Sequence, residues 1–161
     1  EKTTVSLDVL VGEAVLRFLP RADAAGVDLG AKGLDHAVHV QGNAALIEGI
    51  LNNLIDNALR YGRAASGESH ITVSVAQTYQ QVTLSVTDNG VGVPHDKLQQ
   101  ISQRGVQGVA GEALKAGMGL GLAIVATYAK LLGARMSLTP VQPQGFCASV
   151  VFDQTPPSAD A

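Results

Sequence analysis

Residues 43–62, "NAALIEGILNNLIDNALRYG", constrain the fold more than any other stretch of this chain. Ile47, Leu51, Leu54, Ile55, Ala58 and Leu59 recur at helical spacing and form one wide apolar stripe, so this helix must be buried against something. The next segments supply the surface. "SHITVSVAQT" and "QVTLSVTD", separated by "YQ", alternate apolar with polar residues and read as two neighbouring antiparallel strands. A helix of period 3.6 leading into strands of period 2 predicts an α/β (α+β) two-layer sandwich, a mixed sheet covered on one face by helices.

The rest of the chain fits that architecture. "SLDVLVGEAVLRFLPRADAAG" has helical apolar spacing, with Ser6 or Asp8 as a cap, and Asn43 can cap the second helix. "VDLGAK" and "HAVHV" read as short strands, and "MGLGLAIVATYAKLLGA" as a further helix with Gly133 near its end. "HDKLQQIS" reads as a short helix starting near Pro94, and "RMSLTP" and "GFCASVVF" as closing strands. Residues 103–117 lack a period and contain four glycines, which predicts a mobile loop. We expect one domain over 1–153 and a disordered tail over 154–161.

Composition excludes several classes. With 46% apolar and 16% charged residues the chain is globular, and its net charge of −3 without a basic run argues against a nucleic-acid surface. One cysteine, Cys147, rules out an internal disulfide and a Cys-rich zinc site, and its strand context predicts a buried small hydrophobe. No apolar run reaches the ~18 residues of a membrane span, and no signal peptide is visible. The start at Glu1 suggests a fragment.

Three stretches carry chemistry. On the second helix, Asn53, Asn57, Arg60 and Tyr61 fall within an arc of about 100°, opposite the apolar stripe, which presents the asparagines together, off the core. Amide oxygens are neutral hard ligands suited to magnesium, while Arg60 adds a cationic fork and Tyr61 a flat surface with a hydroxyl; a solvated helix face is the plain alternative. "DNGVGVP", residues 88–94, comes directly after a strand, and its glycines permit close approach of a planar ligand. Asp88 there needs a partner such as an amino group, although an ordinary turn would use the same residues. "GMGLGLAIV", residues 117–125, opens a helix whose free N–H groups suit phosphate. It fits neither a dinucleotide-binding fingerprint, which needs a preceding first strand, nor a P-loop, which needs Gly-Lys-Ser/Thr.

In order and spacing, the three resemble the N, G1 and G2 boxes of bacterial sensor histidine kinases, whose Bergerat ATP-binding fold is shared with gyrase, mismatch-repair and heat-shock chaperone ATPases. The likeness runs from Leu7 to Phe152. It implies that Asn53 and Asn57 hold Mg²⁺ and phosphate oxygens, with Arg60 and Tyr61 beside the phosphates and ribose. Asp88 would accept from the adenine amino group, and Gly90 and Gly92 would shape the adenine pocket. Gly117, Gly119, Leu120 and Gly121 would form the phosphate side of a mobile ATP lid, with Arg104 and Lys115 as its cations. The chain departs from the pattern between the G1 and G2 boxes, where "LQQISQRGVQG" has Ser102 in place of a phenylalanine, and at Met118, which supplies no hard oxygen.

The resemblance also bears on the reaction. ATPase relatives carry a glutamate four residues before the metal asparagine; here that residue is Asn53, which has no basic lone pair, and Glu48 lies on a different face as a solvated charge. Transfer of the γ-phosphoryl group is therefore favoured over hydrolysis. None of His36, His39, His70 and His95 lies in the His-Glu-x-x-x-Pro context of an acceptor. The expected function is that of the ATP-binding part of a sensor kinase in two-component signal transduction, acting on a histidine of a dimerisation domain and, through it, on a response regulator. The expected full-length protein is anchored in the bacterial inner membrane, with this part in the cytoplasm. An anti-sigma-factor serine kinase and a degenerate nucleotide-binding module are the alternatives.

Overall fold

The computed structural model describes residues 2–64, 67–90 and 121–154. A short strand β1 (Thr3–Ser6) leads directly into helix α1 (Leu7–Ala24), followed by β2 (Val27–Lys32), β3 (His39–Gly42) and helix α2 (Ala44–Tyr61). The hairpin β4 (Ser69–Gln77) and β5 (Gln81–Asp88) comes next; then helix α3 (Gly121–Leu131), β6 (Arg135–Pro140) and β7 (Phe146–Asp153).

Five strands form one mixed sheet in the order β2-β4-β5-β7-β6. Only β2 and β4 run parallel, because the chain between them crosses over through α2; the other pairs are antiparallel. β3 pairs with β1 in a separate two-stranded ribbon, Val5 opposite Val40. The expected "HAVHV" strand is thus shifted to His39–Gly42 and does not join the main sheet.

Strand alternation decides which sheet face is covered. Leu29, Val73, Leu84 and Val150 are buried with Leu10 and Val11 of α1, Ile47, Leu51 and Ile55 of α2, and Leu122 and Val125 of α3 in one core. The other face presents Thr83, Ser85, Thr87, Cys147 and Ser149, all half-buried, with the hydroxyls of Ser85 and Ser149 bonded at 2.8 Å. Cys147 is therefore not the buried hydrophobe expected of it. Strand parity puts its thiol on the open face, where it accepts a hydrogen bond from Thr87 Oγ1 at 3.3 Å.

Asn43 caps α2 as expected, accepting from the Leu46 N–H at 3.0 Å. Ser6 occupies the N-cap of α1 without a side-chain bond, and Asp8 instead accepts from the Val38 N–H at 3.0 Å, tying α1 to the β1–β3 ribbon. α3 lies along α2 because residue 49 is glycine: any side-chain carbon there would collide with the Tyr128 ring. Gln154, assigned to the tail, is anchored by its N–H to Gln80 O at 2.7 Å. The short helix at Pro94, the loop over 103–117 and residues 155–161 lie outside the described residues.

Candidate nucleotide site

α2 is the spine of the site. Asn53 is half-buried and its Nδ2 donates to the Gly49 carbonyl at 2.7 Å, one turn back. Its Oδ1 lies next to Gly121, the first described residue of α3.

Asn57 corrects the expectation that both asparagines stand off the core. It is 5% exposed, and its Oδ1 is buried with no hydrogen-bond partner among the described residues. α3 packs along α2, and the buried arc of α2 runs past the apolar stripe to take in Ile50 and Asn57 together. A buried amide oxygen without a donor costs about 1–3 kcal/mol, a cost that a cation would remove.

Beside the last turn of α2, Asp88 closes β5 and is 5% exposed. Loss of hydration pushes its carboxyl up from 3.8 to about 6, partly opposed by the backbone N–H groups of Gly90 and Phe146. The Gly90 N–H donates to Oδ1 at 2.9 Å. Two glycines make room for this carboxylate. A side-chain carbon at Gly62 would strike Asp88 Oδ2, and one at Gly90 would strike the Gly62 backbone. Gly62 thus does more than end α2. Its φ of −95° is accessible to any residue, so close approach and not backbone conformation demands glycine. The sequence showed Gly62 only as helix punctuation; its contact with Asp88 depends on β5 ending beside the last turn of α2.

Arg60 and Tyr61 occupy the exposed end of the asparagine arc. Tyr61 is 44% exposed, and Arg60 Nε lies 3.0 and 3.2 Å from the two carboxylate oxygens of Asp56. Gly92, Arg104, Lys115, Gly117, Gly119 and Leu120 lie outside the described residues. His36, His39 and His70 are exposed, with His36 beside Asp35, and His70 between Asp28 and Glu68. His95 is not among the described residues, and Glu48 is half-buried, less solvated than expected.

The family described as histidine kinase-, DNA gyrase B-, and HSP90-like ATPase matches residues 42–156, from the last residue of β3 to just past β7. The chain belongs to this family. Among curated relatives of this chain, the sensor protein CutS of Streptomyces coelicolor is 32% identical over 154 residues, covering 94% of this chain and 36% of CutS. The sensor protein CreC of Escherichia coli is 35% identical over 113 residues, covering 70% of this chain and 23% of CreC. The chain thus spans about a third or less of these relatives. The catalytic domain of the histidine kinase ThkA superposes with a TM-score of 0.73 at 21% identity, covering 97% of this chain and 99% of that one. The ATP-binding domain of PrrB from Mycobacterium tuberculosis gives 0.69 at 24% identity over 98% and 99%. The two-layer sandwich of this chain is therefore the fold of histidine kinase catalytic domains, and ATP is the ligand its family implies.

Neutral amide oxygens fit a magnesium ion that keeps its remaining positions for water and phosphate. Among the described residues no group of three or more His, Cys, Asp or Glu side chains could hold a metal, so carboxylates and imidazoles offer no competing site there. No described helix is long and apolar enough to cross a membrane.

Proposed function

We propose that this domain positions Mg-ATP for transfer of the γ-phosphoryl group to a histidine on a dimerisation domain of the same protein. The observation that carries this reading is Asn57, whose Oδ1 is buried with no hydrogen-bond partner among the described residues. Asn53 and Asn57 would hold the magnesium ion, which supplies charge neutralisation at the phosphate oxygens. Asp88 accepts from the adenine amino group, Gly90 and Gly92 flank the ring, and Tyr61 lies beside the ribose. Arg60, Arg104, Lys115 and the Gly117–Gly121 amides bind the phosphates, with Leu120 in that turn.

In the transfer, the bond from the γ-phosphorus to the bridging oxygen breaks, ADP leaves, and a P–N bond forms to the acceptor imidazole. The domain contributes alignment and charge, which dominate phosphoryl transfer. Hydrolysis is disfavoured because the residue one turn before Asn57 is Asn53, whose amide cannot take a proton from water. By this reading the acceptor domain lies elsewhere in the protein, a response regulator receives the phosphoryl group, and the whole is anchored in the bacterial inner membrane with this domain in the cytoplasm.

Incubation with Mg-ATP and a supplied dimerisation domain, followed by mass spectrometry, tests the proposal. Phosphohistidine on the supplied domain is expected. Phosphoserine on a partner would favour the anti-sigma-factor kinase, and nucleotide binding without transfer to any acceptor would leave a binding module.

A further inference from the structure

Asp56 sits between two arginines. Arg21 of α1 places Nη1 2.6 Å from Asp56 Oδ1, and Arg60 of α2 places Nε 3.0 Å from Oδ2 and 3.2 Å from Oδ1. Side-chain exposure is 31% for Asp56, 45% for Arg21 and 61% for Arg60, so none of the three is locked by packing. Asp56 also lines an open recess of about 410 Å³ together with Arg17, Phe18, Asn52 and Asn53. Asp56 thus lines the same recess as one of the two asparagines proposed to hold magnesium.

Arg60 shares the arc of α2 that carries Asn53 and Asn57, yet its guanidinium is spent on a carboxylate one turn back. Exposed ion pairs of this kind are weak, and a polyphosphate is the stronger competitor for an arginine fork. We infer that Asp56 is a positioning residue that withholds Arg60 until nucleotide phosphates displace it, with Arg21 taking up the released carboxylate. Arg21 sets how tightly Arg60 is held: with Arg21 present, Asp56 has a second cation and gives up Arg60 easily. The inference rests on the nucleotide reading above and adds a competition inside the protein for one of its phosphate cations.

Two substitutions pull in opposite directions. Asp56→Asn frees Arg60 and removes a negative charge near the phosphates, so ATP should bind about two- to five-fold tighter. Arg21→Gln leaves Arg60 as the remaining partner of Asp56 among the described residues, so ATP should bind about two- to five-fold more weakly. Adenosine, lacking phosphates, should bind all three proteins alike, which a merely structural role for Asp56 would not produce. In an Arg60→Gln background the effect of Asp56→Asn should shrink to that of the charge alone. The measurement is calorimetric titration of this chain with Mg-ATP and with adenosine, after thermal melts confirm folding. Unchanged or weaker ATP binding by Asp56→Asn, or a parallel change for adenosine, overturns the inference. If the native chain binds adenosine and ATP equally or neither, the nucleotide reading falls, and this inference with it.

Discussion

Replacing Asp88 with asparagine should make the protein more stable and worse at binding ATP. The carboxyl is buried at the end of β5, and its value rises from 3.8 to about 6 because burial disfavours the charge. At neutral pH the folded protein therefore carries an anion it would be easier to fold without. The difference corresponds to about 3 kcal/mol, at about 1.4 kcal/mol per pH unit. Asparagine keeps an oxygen for the Gly90 N–H but introduces an NH₂ that needs an acceptor of its own. Part of the gain is lost to that group, leaving a net stabilisation of about 1–2 kcal/mol at pH 7.5. The folded value lies above the unfolded one, so the native carboxyl's contribution to stability is full below 3.8 and is lost as pH rises through about 6. The advantage of Asp88→Asn should accordingly shrink at pH 5, where the native residue is largely protonated when folded. Adenine offers a donor amino group where guanine offers a carbonyl oxygen. Loss of a charged acceptor costs about 1.5–3 kcal/mol, about 10- to 150-fold in ATP affinity. An amide can also donate, so preference for ATP over GTP should narrow. Urea unfolding at pH 7.5 and 5, with ATP and GTP titrations at pH 7.5, reads all of these. A variant that is less stable at pH 7.5, or that keeps both ATP affinity and base preference, would refute the reasoning.

Asn57→Ala deletes a buried acceptor that no described donor reaches, a gain offset by the cavity left behind, so apo stability should change by less than about 1 kcal/mol while Mg-ATP binding is largely lost on calorimetry. Asn52→Ala breaks only an exposed bond from Arg17 Nη2 at 2.8 Å and should leave binding unaltered; equal effects would mean the wrong face of α2 has been assigned. Gly62→Ala forces a methyl group against the Asp88 carboxylate and should cost about 2 kcal/mol or more, with ATP binding lost at temperatures where circular dichroism still shows a folded protein. Between pH 7.5 and 5, ATP affinity should fall as Asp88 takes up its proton near pH 6, and binding at pH 5 should release a proton, detectable by calorimetry in buffers of different ionisation enthalpy.

Much of this protein was legible in its sequence, because the relevant signals are local. The apolar stripe of α2, the Asn43 cap and the alternation of β4 and β5 depend on neighbours a few residues away, and they suffice for a sheet covered by helices. Asp88 and Asn53 were visible for the same reason, as polar groups placed where an element alone would not want them. Three things depended on residues distant in sequence. The pairing of β3 with β1 is a register choice between strands separated by all of α1 and β2. The burial of Asn57 is set by what packs over α2 beyond its apolar stripe, and no helical wheel contains those neighbours. The role of Gly62 depends on Asp88 arriving beside it from the end of β5, and the grip of Asp56 on Arg60 is shared with Arg21 from α1. The chain's periodicities fixed which elements form and which faces they bury. Only packing decided which polar atoms were left without partners, because burial and hydrogen bonding belong to the assembled layers and not to any one of them.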